Sequence, residues 1–109
     1  MFKKLMLAGS AVAMLAVSTA HANDTVKVGI VLTLTTPAAV IGKQMKAGFE
    51  VAFDHLGGQI AGKKLELIFE DDTFKPKVGK QKTEKLVKRD KVDFLTGYIW
   101  SHVLNASAP

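Results

Sequence analysis

The side chains best placed to act on another molecule cluster near the end of the chain, in Gly97-Tyr98-Ile99-Trp100-Ser101-His102. A hydroxyl, an imidazole and two aromatic rings fall within six residues, where a short apolar strand gives way to a helix start. Free N–H groups and the helix dipole favour an anion at such a start. A ligand carboxylate would lie against Ser101 while an apolar body packs on Trp100 or Ile41. The same residues equally suit an ordinary cap, with Ser101 satisfying the helix and Trp100 in the core. Spacing alone leaves both readings open.

The other reactive side chains carry weaker signals. Ser101 and His102 are adjacent, and neighbouring side chains seldom aim at one another; no third member completes a nucleophilic set. Asp71 and Asp72 close a second strand, the edge at which open α/β sheets take ligands. An acid there holds a ribose only behind a Gly-x-Gly-x-x-Gly turn, and Thr33-Leu34-Thr35-Thr36-Pro37 has none. Two carboxylates without further ligands make a poor cation site, so their expected role is to cap the turn leading into the next helix. No cofactor and no metal are expected. His55 falls at a helix end, in a surface or capping role. Residues 75–91 carry eight basic side chains against Glu84 and Asp90. Without interleaved aromatics this reads as the solvated face of a helix rather than a nucleic-acid surface.

The elements that position these residues follow from hydrophobic period. Val26, Val28, Ile30, Val31 and Leu32 form an apolar, β-branched run, as in a strand covered on both faces. Thr33 to Ala39 reads as a loop. From Val40 the period becomes helical: Ile41, Met45, Gly48, Phe49, Ala52, Phe53 and Leu56 share one face, opposite Lys43, Lys46, Glu50 and Asp54. Gly48 weakens that helix, which suggests close contact with the sheet. Gly57-Gly58 ends it and Gly62 marks a turn. Lys64 to Glu70 alternates as a second strand. Pro76 opens a second helix, running to about Asp90, with Gly79, Thr83, Leu86 and Val87 inward. Val92 to Thr96 is a third strand, and a third helix begins near His102. The pattern β-α-β-α-β implies a parallel sheet with right-handed crossovers. With a last helix only begun, the chain reads as a truncated piece of a larger fold.

The N-terminus carries a separate message. Lys3 and Lys4 precede an uncharged run of about 13 residues, Leu5 to Val17, and then Ala20-His21-Ala22. That is the layout of a cleavable signal peptide over residues 1–22; a membrane-spanning helix needs roughly 20 apolar residues. Export to the periplasm is the expectation. The remaining 87 residues hold 13 basic and 10 acidic side chains, a mild net charge of +3. There is no cysteine, so stability must come from packing rather than disulfides.

Three stretches, KVGIVLTLTTPAAVIGKQMKAGFEVAFDHLGG, GKKLELIFEDDTFKPKVG and LVKRDKVDFLTG, occur in this order. Together they resemble the N-terminal lobe of periplasmic substrate-binding proteins of ABC importers, in the leucine/isoleucine/valine-binding group. The resemblance implies a type I periplasmic binding fold, with residues 23–109 as the first part of its N-terminal lobe. It further implies a monomer that is not an enzyme, closes on a small carboxylate solute and delivers it to a membrane permease. Nucleic acid is not an expected partner. In the family the residue at Ser101's position bonds the ligand carboxylate, and the loop before Gly42 lines the pocket, making Ile41 a candidate wall; Trp100 and His102 complete the candidate ligand-binding set.

The chain departs from the amino-acid-binding members in one respect: Phe74 and Trp100 stand where those often carry a bonded cysteine pair. An aromatic contact between the two rings is therefore expected in place of the bridge. The Ile99-Trp100-Ser101-His102 run is more like members that take up aromatic acids than those specific for leucine. An exported α/β enzyme and an extracellular ligand-sensing domain are the competing readings. Residues 23–109 alone are expected to bind no carboxylate usefully, since such solutes lie between two lobes.

Overall fold

The computed structural model describes residues 24–109, so the expected signal peptide lies outside the described residues. The elements are β1 (Thr25–Leu32), α1 (Ala39–His55), β2 (Gln59–Ile60), β3 (Lys63–Asp71), α2 (Pro76–Lys88), β4 (Phe94–Gly97) and α3 (Ser101–Ser107). They form a four-stranded sheet of order β2-β3-β1-β4. β1 pairs in parallel with β3 on one side and β4 on the other. Its β-branched side chains suit a central pleated strand, and Ile30, Val31 and Leu32 are fully buried.

Successive strand residues point to opposite faces. Phe69 meets Phe49 of α1 edge-on, with centroids 6.2 Å apart, whereas Glu70 meets Lys82 and Lys85 of α2. The two helices therefore lie on opposite faces, giving an α/β/α arrangement. That is what two right-handed crossovers in opposite directions require, β1 to β3 and then β3 back past β1 to β4.

β2 is the one strand the sequence pattern does not announce, because two residues carry no period. It pairs antiparallel with β3 through Ala61 and Gly62, whose φ angles of 50° and 75° suit a two-residue type I′ hairpin. The third long strand is shifted from the expected 92–96 to Phe94–Gly97. The reason is the exit from α2: Arg89 N and Asp90 N both donate to Lys85 O, and Val92 N donates to Leu86 O. Residues 89–93 are spent on that turn, and α2 ends at Lys88 rather than near Asp90.

α2 is firmly seated. Leu86 is fully buried over Gly29, where an added Cβ would meet a Leu86 methyl at 3.0 Å. Gly79 lets α3 approach: a Cβ there would sit 2.3 Å from Val103 Cγ1. Gly79, Thr83 and Leu86 face inward as expected, but Val87 is about half exposed, one position beyond the buried stripe. Glu70 is bonded by Lys85 and sits 3.1 Å from Lys82, while Lys85 turns its ammonium also to Asp90 at 2.9 Å. Burial pushes the Glu70 carboxyl up, but the two lysines outweigh it and hold it below its ordinary range. The hydrogen bonds to Glu70 and Asp90 raise Lys85 above its own.

α1 is seated only at its beginning. Ala39 and Gly42 are its buried residues, and a Cβ on Gly42 would fall 1.9 Å from the Thr33 carbonyl oxygen. The close contact expected at Gly48 is not there: a Cβ at that position would meet nothing within 4 Å. The close approach belongs to Gly42, six residues earlier.

Candidate functional site

Three strand exits meet at the C-terminal edge of the sheet: Thr33 after β1, Asp71-Asp72 at the end of β3, and Tyr98 to Trp100 after β4. The chain leaves β1 toward β3 and returns past it to β4. This reversal is the switch point at which open α/β sheets take ligands.

Thr33 is the hub of the edge and is completely buried. Its hydroxyl donates to Asp72 Oδ1 at 2.6 Å and accepts the Trp100 indole N–H at 3.0 Å. Asp72 Oδ1 also accepts Phe74 N–H at 2.8 Å. The other oxygen, Oδ2, is buried with no hydrogen-bond partner among the described residues, an arrangement that costs about 1–3 kcal/mol. Asp71 works in parallel. Its Oδ1 accepts Leu34 N–H and Thr73 N–H at 2.9 Å, and its Oδ2 accepts the Thr35 hydroxyl at 2.6 Å. Burial raises the Asp71 carboxyl, but these donors, led by Thr35, bring it below the usual carboxylate range.

The two aspartates thus support the turn into α2, as expected, and do something the sequence does not show: each ties that turn to the loop after β1. The helix itself has Lys75 as N-cap and no side-chain cap. The turn needs the support. Thr73 and Phe74 both take left-handed φ, 51° and 63°, at a cost of roughly 1–2 kcal/mol each, and the aspartate side chains hold both N–H groups.

Phe74 is 42% exposed and carries the expected contact. Its ring meets Trp100 edge-on, with centroids 5.0 Å apart and planes at 88°. On its other side it meets the His102 ring at 4.8 Å and 78°, with His102 Nε2 3.4 Å from the Phe74 carbonyl oxygen. Three rings therefore line one lip of the edge, with Ser101 among them. Trp100 is the N-cap of α3, and no side chain caps that helix. Ser101 is its first residue and exposed, so the ordinary-cap reading of its hydroxyl does not hold. The Trp100 N–H is turned inward to Thr33, leaving only ring surface for a ligand. Ile41 comes to the edge from α1, 45% exposed, next to the Gly42 that abuts Thr33. Thr33 and Phe74 were not among the candidate site residues. A threonine at a strand exit reads as loop, and only the acidic pair 39 residues away gives its hydroxyl a partner.

This edge is open. Two of the concavities lie elsewhere: one between α1 and β3, lined in part by Phe53, Leu65, Leu67 and Phe69, another against Val87, Leu95 and Pro109. Both have an apolar floor beside a helix, with charged side chains such as Glu50, Asp54, Lys64 and Glu66 in the first and Lys80, Glu84 and Lys88 in the second. The strand-exit edge remains the better candidate because hydroxyl, amide and ring surface meet there.

Comparison with known proteins bears on the family and the fold. The sequence profile of the family described as periplasmic binding protein matches residues 25–109. Leu/Ile/Val-binding protein homolog 6 of Brucella abortus is 32% identical over 108 residues, covering 98% of this chain but 27% of its own length. The chain thus spans about a quarter of the curated relatives it matches. A solute-binding protein of an ABC transporter from Rhodopseudomonas palustris BisB5, in complex with 3,4-dihydroxybenzoic acid, superposes with a TM-score of 0.75 and 34% identity over 79% of this chain and 24% of that one. A branched-chain amino acid transporter substrate-binding protein from Streptococcus pneumoniae, in complex with isoleucine, superposes with a TM-score of 0.71 and 26% identity over 76% and 24%. Family and fold are those of transport binding proteins. On the match of residues 25–109, the chain belongs to the periplasmic binding protein family.

Proposed function

We propose that this chain is the first part of the solute-binding component of an ABC importer. In this reading it works in the periplasm as a monomer, without catalytic activity, and hands its solute to a membrane permease. The solute is a small carboxylate, and aromatic acids are preferred to aliphatic amino acids. Ser101 bonds the carboxylate, Trp100 and Ile41 supply apolar wall, and His102 borders the site. The observation that carries this reading is the convergence of Trp100, Phe74 and His102 rings on the lip that bears the exposed residue Ser101. Such a lip offers edge and face surface to a flat ring beside a donor for its carboxylate. Because the described edge is open, a second surface must close over the solute.

A second reading, uptake of a branched-chain amino acid, is favoured by the relatives named Leu/Ile/Val-binding. A thermal-shift screen of the full protein separates the two, since a ligand that binds only the native state raises the melting temperature. Benzoate and 4-hydroxybenzoate are expected to raise it, and leucine and isoleucine to leave it unchanged. The reverse pattern supports the second reading, and no response to any of the four rejects both.

A further inference from the structure

The contacts at the strand exits close on themselves. Trp100 donates to Thr33, Thr33 donates to Asp72, and Asp72 accepts from Phe74 N–H. The Phe74 ring returns to Trp100 at 5.0 Å. This circuit joins the ends of β1, β3 and β4 through residues 39 and 67 positions apart in the chain. Two of its members, Thr33 and Asp72, are fully buried, so neither touches a solute.

We propose that the Asp72–Thr33–Trp100 chain is a positioning latch for the ligand edge. Its job is to fix the indole plane and, through the peptide bond, the start of α3 that carries Ser101. Phe74 is fixed in the same act, because the carboxylate oxygen that accepts the Thr33 O–H also accepts the Phe74 N–H. The Thr33 hydroxyl is the only group in the circuit that both donates and accepts, so it sets the direction of the whole chain. Asp72 Oδ2, buried with no hydrogen-bond partner among the described residues, fits this role: an apolar residue would pack there without a buried orphan, but would hold neither Thr33 nor Phe74. The proposal rests on the reading that the Ser101 edge is where the solute binds.

The test replaces the hydroxyl while keeping the shape. Thr33→Val is expected to weaken benzoate binding by calorimetry on the order of tenfold, the size of one neutral hydrogen bond fully coupled to binding. Thr33→Ser, which keeps the donor and acceptor, is expected to stay within about twofold on the same grounds. A merely structural threonine would lower the melting temperature of Thr33→Val yet leave the affinity of the folded protein untouched in the cold, and that result overturns the latch. A second readout does not depend on the ligand. The indole N–H resonance of Trp100, assigned by its loss in Trp100→Phe, should move upfield in Thr33→Val and hold its place in Thr33→Ser; an unmoved resonance in the valine variant also overturns the proposal. If Thr33→Val fails to fold, Trp100→Phe takes its place: it keeps the ring against Phe74, loses the N–H, and should show the same loss of affinity, whereas wild-type affinity refutes the latch. A wild-type protein that binds none of benzoate, 4-hydroxybenzoate, leucine and isoleucine rejects the functional reading instead, and the indole resonance then still decides on the latch.

Discussion

The two helices flanking the sheet obey the same amphipathic rule and end up in different conditions. α2 is pinned along its length, by Leu86 over Gly29, by Gly79 against Val103 and by the Glu70 ion pairs. α1 is pinned at its first turn, where Gly42 abuts Thr33, and leans on the sheet further along through Phe49 and Phe69. Beyond that, Val51 and Leu56 are at least half exposed, and Phe94 on the same side of β4 is 63% exposed. An apolar stripe thus states which face of a helix avoids water; it does not state that the partner lies within the same stretch of chain. The well-seated helix is also the one whose entry turn contains Asp72 and Phe74, so the rigid side of the molecule is the side that holds the candidate site.

Substitutions along the helices sharpen this contrast. The largest effects are expected at one position in each helix. Gly42→Ala forces a Cβ against a backbone oxygen that cannot move aside, and should cost about 3 kcal/mol in denaturant unfolding. Leu86→Ala in α2, a fully buried leucine, should cost about 3 kcal/mol by cavity formation; a cost under about 1 kcal/mol would mean that α2 is no better seated than α1. Gly48→Ala, six residues after Gly42 in the same helix, should do the opposite and stabilise by up to about 1 kcal/mol through helix propensity alone. A loss there would show that something does cover that face.

A smaller effect is expected from pH. Glu70 and Asp71 are both held below the ordinary carboxylate range, so their contribution is present above that range and is lost as pH falls through the lowered values. Stability should decline below about pH 4, and Glu70→Gln should flatten part of that decline. Lys85, held high, works in the other direction: its share is intact at neutral pH and fades only in strong alkali. An acid limb unchanged in Glu70→Gln would assign it to Asp71 and the strand-exit loops instead.

Much of the fold is legible in the sequence because its signals are periodic. The β-branched run of β1, the alternation in β3 and the helical stripe of α2 each extend over enough residues to be read, and Pro76 marks its helix start. Where the signal is a single residue, legibility fails. Gly42 and Gly48 lie six positions apart on one helix, and nothing local says which of them meets a backbone carbonyl. Val87 continues the apolar pattern of α2 but lies past the point where the sheet covers it. At the site, the Phe74–Trp100 contact is legible only through the family resemblance, which implies that both stand where members often carry paired cysteines. The buried Thr33 hydroxyl follows from nothing nearby, because its partners are at 72 and 100 and only the folded strand exits bring them together.

The central claim is that a carboxylate is bound at the Ser101 edge. Calorimetric titration of the full protein with benzoate, repeated on Ser101→Ala, tests it most directly. Removing a hydroxyl that bonds a charged group should weaken binding by one to two orders of magnitude, about 1.5–3 kcal/mol, with the melting temperature of the unliganded protein unchanged because Ser101 is exposed and caps nothing. Equal affinity in the two proteins would contradict the account and place the carboxylate elsewhere.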